Sequence, residues 1–307
     1  MSAGGTLVVG SGFVGLGIAR RLAAAGESVT VTSRHRPGRL PDVRELRWHA
    51  LDATEPEACG RLVARLEPRR IVLVHGPSDV TWCEEHPEQA VSAHIAAAAN
   101  FAALAGDARL LMVSTDNVFD GSRPDNSEDT PVSPANAYGR AKLRAERTVL
   151  DAAADAVVLR VSLVYGHEPA DAGKWLNFFA ACAHRLLRGE PVTVPEDQWT
   201  TPVLVDDVAE VTAAVLGAEG PLPPVLHLGG PDRVSRAAWA SVVAETLGAP
   251  PHLVVPVPRA DTRYASRPEN ACLTGSLLSR LTATRKIVVR GVREGARDLV
   301  PAFTTTR

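Results

Sequence analysis

The sequence predicts an α/β protein: a doubly wound parallel sheet with a smaller lobe interleaved with its C-terminal part. Three observations carry this. Short β-branched apolar runs alternate with segments of helical periodicity through the first half of the chain. The runs are apolar almost throughout, as strands buried on both faces are, and this is the pattern of a parallel sheet covered by crossover helices. From about residue 167 the rhythm loosens, and prolines cluster at 221–224 and 250–258, which marks a change of architecture.

The elements follow in order. "TLVVG" is a strand that stops at glycine, and "FVGLGIARRLAAAG" carries helical periodicity to Gly26. "SVTVTSR" is a second strand, and a short strand precedes Asp52 in "HALDAT". "PEACGRLVARLEP" is a helix, "RIVLVHGPS" a strand and "HPEQAVSAHIAAAANFAALAG" a long alanine-rich helix. "RLLMVSTDNVF" is a strand, "SPANAYGRAKLRAE" leads into a helix, and "AVVLRVSLVYG" is a further strand. Beyond it, "GKWLNFFAACAHRLLRG" and "LVDDVAEVTAAVLG" read as helices and "VLHLGG" as a strand.

With 307 residues, 45% hydrophobic and 22% charged, the chain can bury a large core, and its net charge of −2 offers no electrostatic reason for a nucleic-acid or anionic-membrane partner. No apolar run reaches the ~20 residues of a membrane span, and "MSAGGTLVVG" lacks the pattern of a secretion signal. A cytoplasmic protein with a small-molecule partner is expected. Four cysteines (Cys59, Cys83, Cys182, Cys272) without a CxxC pair are expected to be reduced.

"VVGSGFVG" places Gly10, Gly12 and Gly15 as G-x-G-x-x-G between the first strand and its helix. In that context the missing side chains let the backbone approach a pyrophosphate, which sits on free N–H groups at the helix N-terminus. This makes the sheet a Rossmann-type one, with Gly10, Gly12, Phe13, Val14 and Gly15 as cofactor contacts. The second strand ends without the carboxylate that would grip the ribose of NAD. Ser33, Arg34 and Arg36 stand there instead, which favours NADP, with NAD possible. Asp52 is placed to accept from the adenine amino group or to cap its own loop. Gly76, after the third strand, allows close approach to the cofactor. The expected division is a dinucleotide-binding domain of residues 1–166, rejoined by 202–230, and a substrate lobe of 167–201 and 231–307.

Tyr138 is one of only three tyrosines, and it precedes Lys142 by four residues in a helix. That spacing sets phenol and ammonium on one face. A nearby cation lowers a phenol pKa of about 10 by roughly one to three units, which suits a proton donor to a carbonyl oxygen. The strand just before ends in "VSTDNVF", so a hydroxyl lies beyond its carboxyl end, where parallel-sheet sites form.

Taken together, "GSGFVG", "STDNVFDG", "AYGRAKLRAE", "LRVSLVYG", "DQWTTP" with "DDVAE", and "RPENACL" resemble the extended short-chain dehydrogenases/reductases, in particular the branch of dTDP-4-dehydrorhamnose reductase. The resemblance covers nearly the whole chain. It implies that Thr115 hydrogen-bonds the substrate carbonyl, that Tyr138 is the catalytic acid/base, and that Lys142 lowers its pKa and holds the nicotinamide ribose. It also implies substrate contacts by Asn177, Gln198 and Arg267, and a homodimer built on the alanine-rich and motif helices. Trp175 and Trp199 are either sugar or base stackers or core residues. Three departures stand out: Val9 replaces a glycine, "HGPS" replaces the usual "N-A-A", and His94 replaces an asparagine that supports a proton relay. His94 is therefore a relay itself or a structural histidine.

The resemblance implies an NADP-dependent reductase acting on the keto group, at C4, of a nucleotide-activated deoxysugar. A nucleotide-sugar epimerase retaining NAD and a non-catalytic dinucleotide-binding regulatory subunit are the alternatives. Dehydration is disfavoured because Asn117 follows Asp116 where dehydratases carry glutamate. "CEEH" at 83–86 lacks a second ligand pair for a metal, and phosphate-loop and nucleophile-elbow motifs are absent from the sequence.

Overall fold

The computed structural model describes residues 4–172 and 175–304. Strand β1 (Thr6–Val9) leads through the glycine loop into helix α1 (Phe13–Ala24), and β2 (Val29–Ser33) and β3 (Leu46–Ala50) extend the sheet to one side. Helix α2 (Pro56–Leu66) then carries the chain back to β4 (Arg70–Leu73), which pairs with β1 on its other side. Helices α3 (Val80–Glu85) and α4 (Pro87–Leu104), β5 (Arg109–Thr115), α5 (Ala137–Ala152) and β6 (Ala156–Val161) continue outward. The order of the seven-stranded sheet is β11-β6-β5-β4-β1-β2-β3, all parallel. Its direction of growth reverses between β1 and β4, and a crevice opens there at the carboxyl ends of the strands.

The segment read as one strand, "AVVLRVSLVYG", divides in two. At Ser162 the chain leaves the sheet after a last backbone bond to Leu228 O (3.0 Å), and its hydroxyl meets Asp116 Oδ2 (3.2 Å), Thr200 Oγ1 (3.1 Å) and Ala271 O (3.2 Å). It resumes as β7 (Val164–Tyr165), beneath the lobe. The helix expected from residue 173 starts later, as α6 (Phe178–Leu187); Gly173 and Lys174 lie outside the described residues. Asn177 sets this start by accepting from Ala180 N (3.1 Å), an N-cap worth about 1 kcal/mol. Helix α3, not anticipated from sequence, is started in the same way by Asp79, which accepts from Thr81 N and Trp82 N.

After β8 (Val192–Pro195), β9 (Trp199–Thr200) and β10 (Val203–Leu204), helix α7 (Val205–Leu216) packs on α1, and β11 (Val225–Leu228) pairs with β6. The remainder comprises β12 (Val234–Ser235), α8 (Arg236–Leu247), β13 (Val254–Val257), β14 (Asn270–Ala271), α9 (Ser276–Arg285) and α10 (Val292–Thr304). Trp239, Tyr165, Phe178 and Phe179 form the core of the lobe under α6, α8 and α10. Trp239 and Tyr165 meet edge to face at 5.2 Å, a favoured aromatic geometry. The short sheet β12-β9-β14 joins lobe and main sheet through Ser162.

Candidate active site

A cleft of about 1660 Å³ runs from the glycine loop across the carboxyl ends of the sheet to the lobe. It is lined by Gly10, Gly12, Phe13, Val14, Gly15, Ser33, Arg34, Asp52, Gly76, Thr115, Tyr138, Lys142, Asn177, Gln198 and Arg267. Of the residues assigned from sequence to the cofactor, the substrate or catalysis, Arg36 alone does not line it; its guanidinium lies 5.9 Å from the centre of the Trp48 ring.

The glycine loop has the shape its sequence requires. Gly10 has φ +117°, and a Cβ there would come within 2.3 Å of Val74 O, so only glycine fits. A Cβ on Gly12 would meet nothing within 4 Å, and the first turn of α1 has no side-chain cap. No N-cap side chain therefore stands between that turn and the cleft, and such a helix start suits an anionic group.

At the end of β2, Ser33 is committed elsewhere. Its hydroxyl donates to His35 O (2.7 Å) and accepts from Ser11 Oγ (2.7 Å) and Trp48 Nε1 (2.9 Å), which uses its full hydrogen-bonding capacity. Arg34 is the basic residue of this turn that lines the cleft. Asp52 accepts from Thr54 N (3.0 Å) and Thr54 Oγ1 (2.7 Å), and these bonds hold its carboxyl below the usual range. This is the loop-capping arrangement.

Thr115 ends β5, and Tyr138 and Lys142 lie one turn apart on α5, whose N-cap Asn136 accepts from Gly139 N (2.8 Å). The Thr115 hydroxyl accepts from Asn117 N (3.1 Å) and Asn117 Nδ2 (3.2 Å) and donates to Asp116 Oδ1 (3.2 Å). Tyr138 is partly buried against Cys83, Ala90 and Ala137. The expected acidification is not what the geometry produces. Lys142 Nζ donates to the backbone oxygen of Val113 (2.7 Å), and the Tyr138 phenol is pushed above its ordinary value, first by burial and then by the negative charge of Asp116. Burial outweighs helical proximity. Lys142 itself is brought down to about 8 by burial, opposed by Glu146. Asp116 is pushed up to about 6 by burial, against hydrogen bonds from Thr115, Ser162 and Asn117.

His94 is 1% exposed, and its ring sits over Gly76 so closely that a Cβ there would lie 2.3 Å from it; Gly76 also has φ +91°. His94 Nε2 donates to Pro77 O (3.1 Å), and its ring meets Tyr138 edge-on at 5.8 Å. Burial and the charge of Lys142 hold it at about 2 and the neighbouring His75 at about 4. His94 is therefore neutral in ordinary buffers, a packing partner of Tyr138 and not a carrier of charge.

On the lobe side, Asn177 spends its amide on structure: besides capping α6 it donates to Gly166 O (3.0 Å) and Glu168 Oε2 (2.9 Å). Gln198 is buried, donating to Pro268 O (3.2 Å) and accepting from Arg236 Nε. Arg267 donates to Arg263 O (2.9 Å) and stacks at 4.9 Å on Tyr264; burial and the charge of Arg236 lower it to about 10. Trp175 is 70% exposed at the cleft, with Arg263 3.9 Å over its ring, whereas Trp199 stacks on Arg233 at 4.2 Å away from it. Sequence reasoning missed Trp48, Arg236, Arg263 and Tyr264. Only the clustering of three arginines around "RPEN" and "VSRAAW" could have pointed to part of this group. Among the described residues, no cluster of histidine, cysteine, aspartate and glutamate could hold a metal ion, and no helix is long and apolar enough to cross a membrane.

The family described as RmlD substrate binding domain matches residues 5–304. The chain is 31% identical over 230 residues to a probable low-salt glycan biosynthesis reductase of Haloferax volcanii, covering 73% of this chain and 75% of that protein. It is 30% identical over 258 residues to a dTDP-4-dehydrorhamnose reductase of Mycolicibacterium smegmatis (82% and 75% covered). It is 28% identical over 233 residues to the methionine adenosyltransferase 2 subunit beta of Danio rerio (74% and 71%). Among solved structures, a dTDP-4-dehydrorhamnose reductase of Clostridium acetobutylicum superposes with a TM-score of 0.80 at 23% identity, over 97% of this chain and 98% of that one.

Proposed function

The chain belongs to the RmlD substrate binding domain family, within the extended short-chain dehydrogenases/reductases, and from that premise we propose an NADP-dependent reductase. Its substrate is the keto group, at C4, of a dTDP-linked 4-keto-6-deoxysugar. One observation carries the reading: Thr115, Tyr138 and Lys142 line a single cleft with an uncapped glycine-loop helix at one end and an arginine-rich lobe at the other.

The residues fit a dinucleotide. The open side of Gly12 and the N-terminal turn of α1 would take its pyrophosphate, and Arg34, with no carboxylate at the end of β2, would take the 2′-phosphate of NADP. The cofactor, when bound, supplies hydride. Tyr138 holds the proton at its phenol oxygen, which burial keeps protonated, and would give it to the carbonyl oxygen in reduction. Thr115 Oγ1, whose hydrogen goes to Asp116 in the free protein, would redirect it to hold the substrate oxygen beside the phenol. Lys142, anchored on Val113 O, presents positive charge where negative charge develops on that oxygen. Asn117 completes the corner: its amide donates to Thr115 and Asp116 and accepts from Asn136 Nδ2 (2.8 Å). In the overall division, residues 1–166 with 202–230 bind the cofactor, and 167–201 with 231–307 bind the substrate.

The test is incubation of protein and NADPH with a panel of dTDP-4-keto-6-deoxysugars, following loss of NADPH absorbance and identifying the product. The absence of consumption with every member would refute the reading. A second reading rests on the resemblance to the subunit beta of methionine adenosyltransferase 2: a dinucleotide-binding subunit of another enzyme. Tyr138→Phe separates them, since a binding subunit is indifferent to that change.

A further inference from the structure

Three guanidiniums crowd one phenol ring in the lobe, and one has no counter-charge bonded to it. Arg236, the first residue of α8, is 4% exposed. Its Nε donates to the neutral amide oxygen of Gln198, its guanidinium lies 4.8 Å from the Phe178 ring centre and 4.3 Å from that of Tyr264, and its buried Nη1 has no hydrogen-bond partner among the described residues. A buried guanidinium held only by a neutral amide and ring faces is costly, and an anionic ligand bonded to it would offset that cost. The other two arginines differ. Arg263 lies 4.0 Å from Asp79 Oδ2, and Arg267 donates to the backbone of Arg263. Arg236 is the arginine whose charge acts on Asp116, the hydrogen-bond partner of Thr115, so it faces the reacting end of the cleft.

We propose that Arg236 binds an oxyanion at the glycosyl end of the substrate: the phosphate on the anomeric carbon or a carboxylate carried by the sugar ring. With Gln198 fixing the Nε edge, the two Nη atoms are left to meet two oxygens of one anion. The assignment rests on the nucleotide-sugar reading above and adds a specificity residue to it.

The experiment is calorimetric titration of the wild type, Arg236→Met and Arg236→Lys with glucose 1-phosphate, dTDP, UDP-glucose and UDP-glucuronic acid, with thermal melts of each protein alone. If the anion is the phosphate, Arg236→Met binds all four roughly 30-fold or more weakly; if it is the ring carboxylate, only UDP-glucuronic acid suffers. Either result supports the proposal, with Arg236→Lys intermediate because it keeps charge without the fork. Without ligand, Arg236→Met should melt at or above the wild type, since it replaces an unpaired buried charge by an apolar chain; a residue needed only for packing would melt lower. Unchanged affinities in both variants, or a wild type that binds none of the four, overturn the proposal. Should Arg236→Met not fold, Arg236→Lys decides on the same criterion. No turnover is needed, so failure to reduce any keto sugar alongside a loss of anion binding would sink the reductase reading and leave this one standing.

Discussion

At the floor of the cleft, Thr115, Asp116 and Lys142 each find partners inside the fold: Asn117, Ser162 and the Val113 carbonyl. Across the cleft, Arg236, Arg263 and Arg267 gather around Tyr264, with Asp79, 4.0 Å from Arg263, as the one carboxylate within ion-pair reach among the described residues. The first group is finished without a ligand, the second under-compensated without one. Chemistry needs groups held still before the substrate arrives, and that demands local satisfaction. Recognition of an anion is served by positive charge the protein leaves unspent.

The sharpest way to break this contrast is Tyr138→Phe. We expect turnover to fall by ~10²- to 10⁴-fold, the usual range for a lost general acid, with NADPH affinity and melting temperature nearly unchanged; a drop in stability instead would show that the floor is not self-sufficient. Next comes Gly12→Ala. Its Cβ meets no protein atom within 4 Å, so stability should change by less than about 1 kcal/mol while NADPH binding, followed by fluorescence, weakens by roughly tenfold or more.

The pH profile of kcat/KM tests the two titrating groups of the floor. As pH falls through about 6, Asp116 gains a proton and ceases to be an anionic acceptor for Thr115 and Ser162; as pH rises through about 8, Lys142 loses its charge. Reduction should therefore decline on both sides, with limbs near those values, and a flat profile from 5 to 9 would remove both groups from the mechanism. The smallest effect is expected from Trp48→Phe. Losing the indole N–H frees one lone pair of Ser33, and the ratio of NADPH to NADH efficiency should shift by only a few-fold, about 1 kcal/mol for one hydrogen bond.

Legibility in the sequence follows the same division. The alternation of strands and helices, the glycine loop and the four-residue spacing of Tyr138 and Lys142 are local patterns, and the structure places them as those patterns require. The sign of the phenol shift was not legible, because Lys142 turns to a carbonyl on β5 and Tyr138 is enclosed by α3 and α4, both distant in sequence. Trp48 hid in a short strand whose register against β2 decides that its indole meets Ser33. Arg236 was unreadable because its meaning lies in Gln198, Phe178 and Tyr264, brought together from three separate segments. Asn177 was legible as a cleft residue, yet its cap and its bond to Glu168 emerge only once α6 begins at Phe178.

The last strand of the large sheet has a consequence for the birth of the molecule. β6 pairs with β11, and Arg109 at the start of β5 donates to the backbone oxygens of Val215, Ala218 and Gly220. A ribosome must therefore deliver residue 228 before β6 gains its neighbour. Until then the nascent chain carries an open apolar strand border, the kind of surface that invites pairing with another polypeptide. Slowed elongation between residues 161 and 225 should prolong that vulnerable interval, and chaperone dependence during synthesis should peak there.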